Sequence, residues 1–312
     1  MKDKNVLITG GLGFIGSHIA DELINENKVI IIDNKSSGKV NNLENPDHKN
    51  LTIIEKDIND VNLNEVLKNV DYVFHLAAMA SVPLSIDNPE KCTRDNLIGT
   101  IKLLDACKAN NVKKIIFSSS SSVYGDNENI PLKENEYPQP KSPYAASKAS
   151  CELYLKTYHE AYDLSYVSLR YFNVFGPRQD KNSQYAAVIP NFISDLLEGI
   201  RPEIYGDGEQ TRDFIYVKDV VKANIKSCEC KYNGIVNVAS GKKITINKLY
   251  NIIKKTLGTD IEAKYLPERQ GDIKHSLADV SEMKKINYEV DSENFENQLK
   301  ETINWFKKEL ND

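Results

Sequence analysis

The stretch TGGLGFIGSH, residues 9–18, closes a short apolar run and opens a segment with helical spacing. Its glycines at 10, 13 and 16 stand three apart. Glycine permits a tight turn and lets a backbone approach a bulky anion closely. A helix that starts there offers free N–H groups and the positive end of its dipole. A glycine turn alone could simply join a strand to a helix. Here a second signal follows: Asp33 ends the next apolar run, 17 residues after Gly16. A carboxylate at that point accepts hydrogen bonds from a ribose diol and repels a 2′-phosphate. The pattern predicts a dinucleotide site that favours NAD over NADP, with the nearby Lys35 as an opposing charge.

Outward from this loop, short valine- and isoleucine-rich runs alternate with helix-period stretches. The runs are NVLIT (5–9), KVIIID (28–33), LTIIEKD (51–57), DYVFHLAA (71–78), KKIIFSS (113–119), LSYVSLRYF (164–172) and IVNVAS (235–240). They are apolar on both faces, as strands of a parallel sheet covered by helices must be. Ile15, Ile19 and Leu23, and again Leu97, Ile101 and Leu104, recur at helical spacing. The fold class predicted is α/β, a doubly wound parallel sheet. After residue 172 the composition shifts to turn-forming stretches such as YGDGEQTRD, then to helix-like segments at 186–199 and 246–257 with few strands. A second, smaller mixed α/β domain is expected from 173–212 and 241–312, with 1–172 and 213–240 forming the dinucleotide-binding domain.

Bulk properties exclude several classes. The chain has 312 residues and a net charge of −5, and its lysines and arginines form no basic stripe, so nucleic acid is not an expected partner. No apolar run approaches the roughly 20 residues of a membrane helix, and MKDKNVLITG leads from a charged tip directly into a strand, so neither a leader nor a membrane anchor is expected. The cysteines, at 92, 107, 151, 228 and 230, make no CxxC pair, and the histidines, at 18, 48, 75, 159 and 275, make no HExxH. The expectation is a reduced, cytoplasmic protein without a metal.

PYAASK (143–148) carries the chemistry. Ser142 reads as an N-cap and Pro143 as the first helical residue, which places Tyr144 and Lys148 on one face, a turn apart. Alone, the pair could be a surface tyrosine under a lysine stem. FSSSSSVYG (117–125), however, ends a strand whose carboxyl end faces the cofactor crevice. A phenol has a pKa near 10. Lowering it by roughly 3 units takes ~4 kcal/mol, which a lysine ammonium and a cationic nicotinamide in a water-poor site can supply. Tyr144 could then take a hydroxyl proton as hydride leaves for NAD.

At these residues the chain resembles the extended short-chain dehydrogenase/reductases, and within them the UDP-hexose 4-epimerases, closest to those acting on UDP-N-acetylglucosamine. TGGLGFIGSH, HLAA (75–78), FSSSSSVYG, SPYAASK, RYFNVFGPRQ (170–179), YGDGEQTRDFIYVKD (205–219) and RQGD (269–272) occur in that family's order. The resemblance implies a Rossmann-like fold, NAD as cofactor, and Tyr144 as base with Lys148 as its electrostatic partner and ribose ligand. It makes Ser120 the partner of the substrate hydroxyl, with Ser119 or Ser121 as alternatives in the serine run. It places Gly10, Gly13, Phe14, Ile15, Gly16, Asp33, Asn34, Asp57, Ile58, Leu76, Ala77 and Ala78 against the cofactor. It places Ser81, Ser122, Asn173, Val188, Asn191, Tyr205, Arg212, Arg269, Asp272 and Ser276 against a UDP-sugar, making the smaller domain a nucleotide-sugar-binding one. Asn96 is expected to tie the fourth and fifth strands together.

Departures within the family narrow the reaction. Dehydratases place an acidic pair after the active-site serine or threonine, and decarboxylases a glutamate just before the VYG valine; here those positions are Ser121 and Ser122. The position four after the aspartate of RQGD lines the wall beside the sugar's C2 substituent; it is Ser276, small enough for an acetamido group. The expectation is interconversion of UDP-GlcNAc and UDP-GalNAc, with UDP-Glc and UDP-Gal also accepted. A UDP-glucuronate 4-epimerase or another nucleotide-sugar enzyme of the fold is the alternative, and a non-catalytic dinucleotide sensor the remote one. A homodimer through helices near 96–110 and 143–162 is implied by the family.

Overall fold

The computed structural model describes residues 1–180, 188–268 and 274–310. Twelve strands lie among these residues. They are β1 (Asn5–Thr9), β2 (Lys28–Ile32), β3 (Leu51–Ile54), β4 (Tyr72–His75), β5 (Lys114–Ser120), β6 (Tyr166–Tyr171), β7 (Asn173–Phe175), β8 (Glu203–Tyr205), β9 (Thr211–Tyr216), β10 (Gly234–Val238), β11 (Lys243–Thr245) and β12 (Lys264–Leu266). The longer helices are α1 (Phe14–Ile24), α2 (Gly99–Ala109), α3 (Pro143–Tyr162), α4 (Val188–Leu197), α5 (Val217–Glu229), α6 (Ile246–Leu257) and α7 (Phe295–Glu309).

Seven strands form one sheet in the order β3-β2-β1-β4-β5-β6-β10, and every pairing in it is parallel. The alternation of side chains sends Val6 and Ile8 into a core with α1 and α5, and Leu7 into a second core with α2 and α3. Burial on both faces explains why these strands read as continuous apolar runs. The chain order reverses between β1 and β4, which opens a crevice outside the carboxyl ends of the strands. The glycine loop after β1, the loop after β4 and the serine run after β5 all end there. The doubly wound sheet and the return of β10 to it are as the sequence predicts.

The smaller lobe has more strand than its sequence predicts. β9 lies between β7, parallel to it, and β11, antiparallel; β8 pairs with β12. Phe175, Phe192, Phe214, Leu249, Ile253, Leu299 and Phe306 build its own core with α4, α6 and α7. The domain boundaries also need correction. Position 213 falls inside β9, so the chain returns to the large sheet only at α5. Met283 and Ile286, assigned to the smaller domain, pack in the core under α1 and α5. All five cysteines are buried and free. Among the described residues no helix is long and apolar enough to cross a membrane.

Candidate active site

The cofactor end is built by steric exclusion of side chains. Gly10 has φ +72°, and a Cβ there would lie 2.8 Å from the Ala77 nitrogen; a Cβ at Gly16 would lie 2.2 Å from the Gly10 oxygen. Neither position tolerates another residue without moving the backbone. Gly13 caps α1 without a side-chain hydrogen bond, which leaves that terminus to an anion. Phe14 and Ile15 turn their side chains toward the smaller lobe's core. Leu76 and Ala77 are held by Thr9: Leu76 N donates to its carbonyl at 3.0 Å, and Ala77 N to its Oγ1 at 3.3 Å. Ala78 continues this loop.

Asp33 is buried with its carboxylate fixed from two sides. Oδ2 accepts from Leu12 N at 3.0 Å and Oδ1 from Lys35 N at 2.8 Å. Lys35 does not oppose it, because its ammonium pairs with Glu55 at 2.5 Å. Asn34 donates to Asp57 at 3.0 Å, and Asp57 caps the turn that begins at Ile58. The bare glycine cradle and the oriented carboxylate fit NAD.

The catalytic helix begins as its sequence predicts. Ser142 Oγ accepts from Ala145 N at 3.2 Å, and Pro143 takes the first helical position. Lys148 is buried; its Nζ donates to the Ser118 carbonyl at 2.6 Å and stands 5.9 Å from the Tyr144 ring centroid. Ser120 and Tyr144 line the same cavity, and the nearby Ser120 hydroxyl favours the phenolate. Of its neighbours, Ser119 faces away to Glu152 at 2.6 Å, while Ser121 lines the cavity beside Ser120. Burial is the leading effect on both ionisable groups. It pushes Tyr144 above its ordinary value, against the pull of the Ser120 hydrogen bond, and pushes Lys148 down to about 8. Lys148 alone therefore does not make a phenolate of Tyr144, which is why the expectation calls on a cationic nicotinamide besides the lysine.

One cavity opens at this helix end and a second lies in the smaller lobe. The first, of about 310 Å³, is lined by Ala80, Val82, Ser120, Ser121, Ser122, Gly125, Asn127, Leu132, Tyr144, His275 and Ser276. The Ser122 hydroxyl is buried without a partner, and Ser276 is buried beside it in the wall. The other, of about 340 Å³, lies in the smaller lobe; Asn173, Val188, Tyr205 and Arg212 line it together with Phe175, Ile189, Phe192 and Phe214. Asn173 Nδ2 donates to the Asp213 carbonyl at 2.9 Å.

Some assignments move. Ser81 is a helix cap: its Oγ accepts from Leu84 N at 3.3 Å, and Ala80 and Val82 line the cavity instead. Asn191 is exposed on α4, outside the cavity lining formed by Val188, Ile189 and Phe192. Asn96 does not join two strands. It binds Met79 in the loop after β4, accepting from its N at 2.7 Å, and donates to Ser147 of α3 at 2.9 Å. Arg269 and Asp272 lie outside the described residues. Sequence reading missed Asn127 and His275 in the polar cavity; no spacing rule points to either. It also missed Glu152 and Arg170, although an acid on the core face of a helix and a base in an apolar strand are both visible signals.

The sheet, the glycine cradle and the tyrosine–lysine helix together define an NAD-binding enzyme of the short-chain dehydrogenase/reductase type. Comparison with known proteins agrees, and the chain belongs to the NAD dependent epimerase/dehydratase family, whose model matches residues 6–239. It is 63% identical to the UDP-N-acetylglucosamine 4-epimerase of Methanobrevibacter ruminantium M1, solved with UDP-N-acetylmuramic acid, over 99% of this chain and 100% of that one, with a TM-score of 0.98. It is 41% identical to the UDP-glucose 4-epimerase of Thermotoga maritima, solved with UDP-glucose, over 98% and 99%, at a TM-score of 0.91. The UDP-glucose 4-epimerase of Thermus thermophilus, solved with NAD, is 34% identical over 97% and 99%, at a TM-score of 0.87.

Proposed function

We propose that the chain is a UDP-sugar 4-epimerase that interconverts UDP-GlcNAc and UDP-GalNAc and also UDP-Glc and UDP-Gal. The observation that carries this reading is the composition of the cavity around Tyr144. Its described lining has hydroxyls, an amide and an imidazole, and no carboxylate. A base can therefore remove the proton of a sugar hydroxyl there, while the described lining offers no carboxylate to drive elimination or decarboxylation of the resulting ketone.

Bound NAD supplies the acceptor for the two electrons leaving C4, returns them to the other face, and adds a cationic ring beside Lys148. Tyr144 takes the C4 hydroxyl proton and gives it back to the ketone oxygen. Ser120 holds both the phenol and the sugar oxygen. Lys148, fixed by the Ser118 carbonyl, keeps a positive charge beneath the ring. The smaller lobe's cavity suits a uracil and ribose, with Arg212 at its polar edge available to the diphosphate by charge-assisted hydrogen bonds. Anchoring at that end leaves the hexose to turn in the hydroxyl-lined cavity and present either face.

The acetamido reading rests on Ser122 and Ser276. A buried hydroxyl without a partner is costly to keep, and the Ser122 group can bond an acetyl oxygen. The decisive experiment is a turnover assay on UDP-GlcNAc, UDP-Glc and UDP-GlcA side by side. The first two should turn over and the third should not, because no lysine or arginine lies in the described lining to meet a uronate. In Ser276→Tyr the N-acetyl activity should fall by about 100-fold from steric overlap, with the plain-hexose activity kept. Equal loss of both would refute the assignment of Ser276 to the C2 wall. A sensor without catalysis would have no use for Tyr144, Lys148 and Ser120 brought together at one crevice.

A homodimer is part of the proposal. The turn Thr93–Ile98 and α3 pack together and leave Ile98, Leu153, Tyr154 and Tyr162 exposed, Leu153 at 67%. A second copy can cover them. Leu153→Glu should then sediment as a monomer where the wild type sediments as a dimer; a monomeric wild type would refute it. The free, buried cysteines support a reducing, cytoplasmic setting.

A further inference from the structure

The tip of β5 carries Ser118, Ser119 and Ser120, and of these three only Ser120 lines the cavity with Tyr144. Ser119 Oγ donates to Glu152 Oε1 at 2.6 Å. Arg170 donates to the same oxygen through Nε at 2.9 Å and to Oε2 through Nη2 at 2.7 Å. Arg170 is the cross-strand neighbour of Ser119 on β6, so its side chain emerges on the same face of the sheet. The ion pair is buried, at 1% and 3% exposure. Its outer side is closed by the Tyr124 ring, 4.6 Å from the guanidinium, and by the Glu134 carbonyl at 3.3 Å.

Burying an ion pair gives little net stability, since desolvation offsets the attraction. The arrangement has a geometric consequence instead. Glu152 lies one helical turn beyond Lys148 and two beyond Tyr144, on the face that meets the sheet. From the other face Ser118 Oγ meets the Tyr171 phenol at 3.0 Å, and Asn224 of α5 donates to that phenol at 2.8 Å. The strand tip is thus pinned from both sides, and the distance from Ser120 to Tyr144 is set by where Glu152 holds α3 against β5.

We propose that Ser119, Glu152 and Arg170 are positioning residues of the epimerase. They fix the register of the catalytic helix on the strand that presents Ser120. The proposal rests on the 4-epimerase reading above. Misplacing a reacting group by about 1 Å can cost up to ~100-fold in rate, whereas substrate binding draws on the other lobe and should be spared.

The test uses the NAD-loaded enzyme and UDP-GlcNAc or UDP-Glc, whichever the wild type turns over. Ser119→Ala should lower kcat by about 5- to 20-fold with KM within about twofold. It should also move the acid limb of the kcat profile to higher pH, because a loosened Ser120 bond no longer favours the phenolate. Ser119→Thr, which keeps the hydroxyl, should restore both. Glu152→Met combined with Arg170→Met removes the pair without stranding a charge; if it folds by circular dichroism, kcat should fall by at least about tenfold. A Ser119→Ala enzyme with wild-type kcat and an unmoved pH limb would overturn the proposal, and so would a folded double variant with wild-type kcat. Should the double variant not fold, Ser119→Ala alone decides. Absence of turnover in the wild type would instead refute the functional reading.

Discussion

The two cavities are nearly equal in size and differ in the groups that line them. The one at Tyr144 sets hydroxyls, Asn127 and His275 among Ala80, Val82 and Leu132; the one in the smaller lobe sets Phe175, Ile189, Phe192 and Phe214 beside Asn173, Glu203, Gln210 and Arg212. Their supports differ too. The first stands on the ends of a seven-stranded sheet whose buried serines, Glu152 and Arg170 are bonded to one another; the second stands on three-residue strands and an aromatic core. Chemistry needs groups held at fixed distances, and binding a flat base needs apolar area with a few directional contacts. The difference supports the division of labour proposed above, with rate set at the sheet and affinity in the smaller lobe.

The sharpest way to break that division is Tyr144→Phe. It removes the group proposed to take the C4 hydroxyl proton, and about 10³-fold should be lost from kcat. The affinity for UDP, measured by calorimetry, should stay as it was. A variant that kept its rate would end the assignment of Tyr144, and one that also lost UDP would end the division. Arg212→Met makes the converse test. Losing a charge-assisted contact to a diphosphate costs about 1.5–3 kcal/mol, so KM and the Kd for UDP should rise by about 10- to 100-fold with kcat little changed. A fall confined to kcat would place Arg212 with the chemistry instead.

The same contrast explains what could be read from the sequence. The sheet strands announce themselves because burial on both faces makes runs such as VLI in β1 and VIII in β2 apolar without a break. The glycine loop and the tyrosine–lysine pair are legible because their spacing follows from turn and helix geometry. β7, β8, β11 and β12 are three residues long and carry no period to detect. Ser119, Glu152 and Arg170 are far apart in sequence and meet only when the sheet forms. The ionisation of Tyr144 is only half legible for a related reason: charge at i+4 is visible in a sequence, while the desolvation that opposes it depends on everything packed around the site.

His75 tests the scaffold beneath the crevice at the ends of the large sheet, and its hydrogen bonds bear on its charge. Thr100 Oγ1 donates its proton to the Asn96 carbonyl, so toward His75 Nε2, 2.8 Å away, it can only accept. Thr9 Oγ1 accepts from Ala77 N, so its proton is free for Nδ1 at 2.7 Å. The ring therefore carries its proton on Nε2 and is neutral, and a second proton would collide with that of Thr9. Burial, aided by Lys148, lowers its pKa from 6.5 to about 3. The unfolded chain takes up a proton below 6.5 that the native protein refuses, so this group's contribution is complete above pH 6.5 and is lost as pH falls toward 3. At pH 5 the loss amounts to about 2 kcal/mol. Urea unfolding of the wild type and of His75→Gln at pH 7 and pH 5 measures it: the wild type should lose ~2 kcal/mol more than the variant over that interval. Equal losses would mean that His75 accepts its proton in the folded state, and that the Thr9–His75–Thr100 chain does not hold the loop bearing Ala77 in the way its geometry implies.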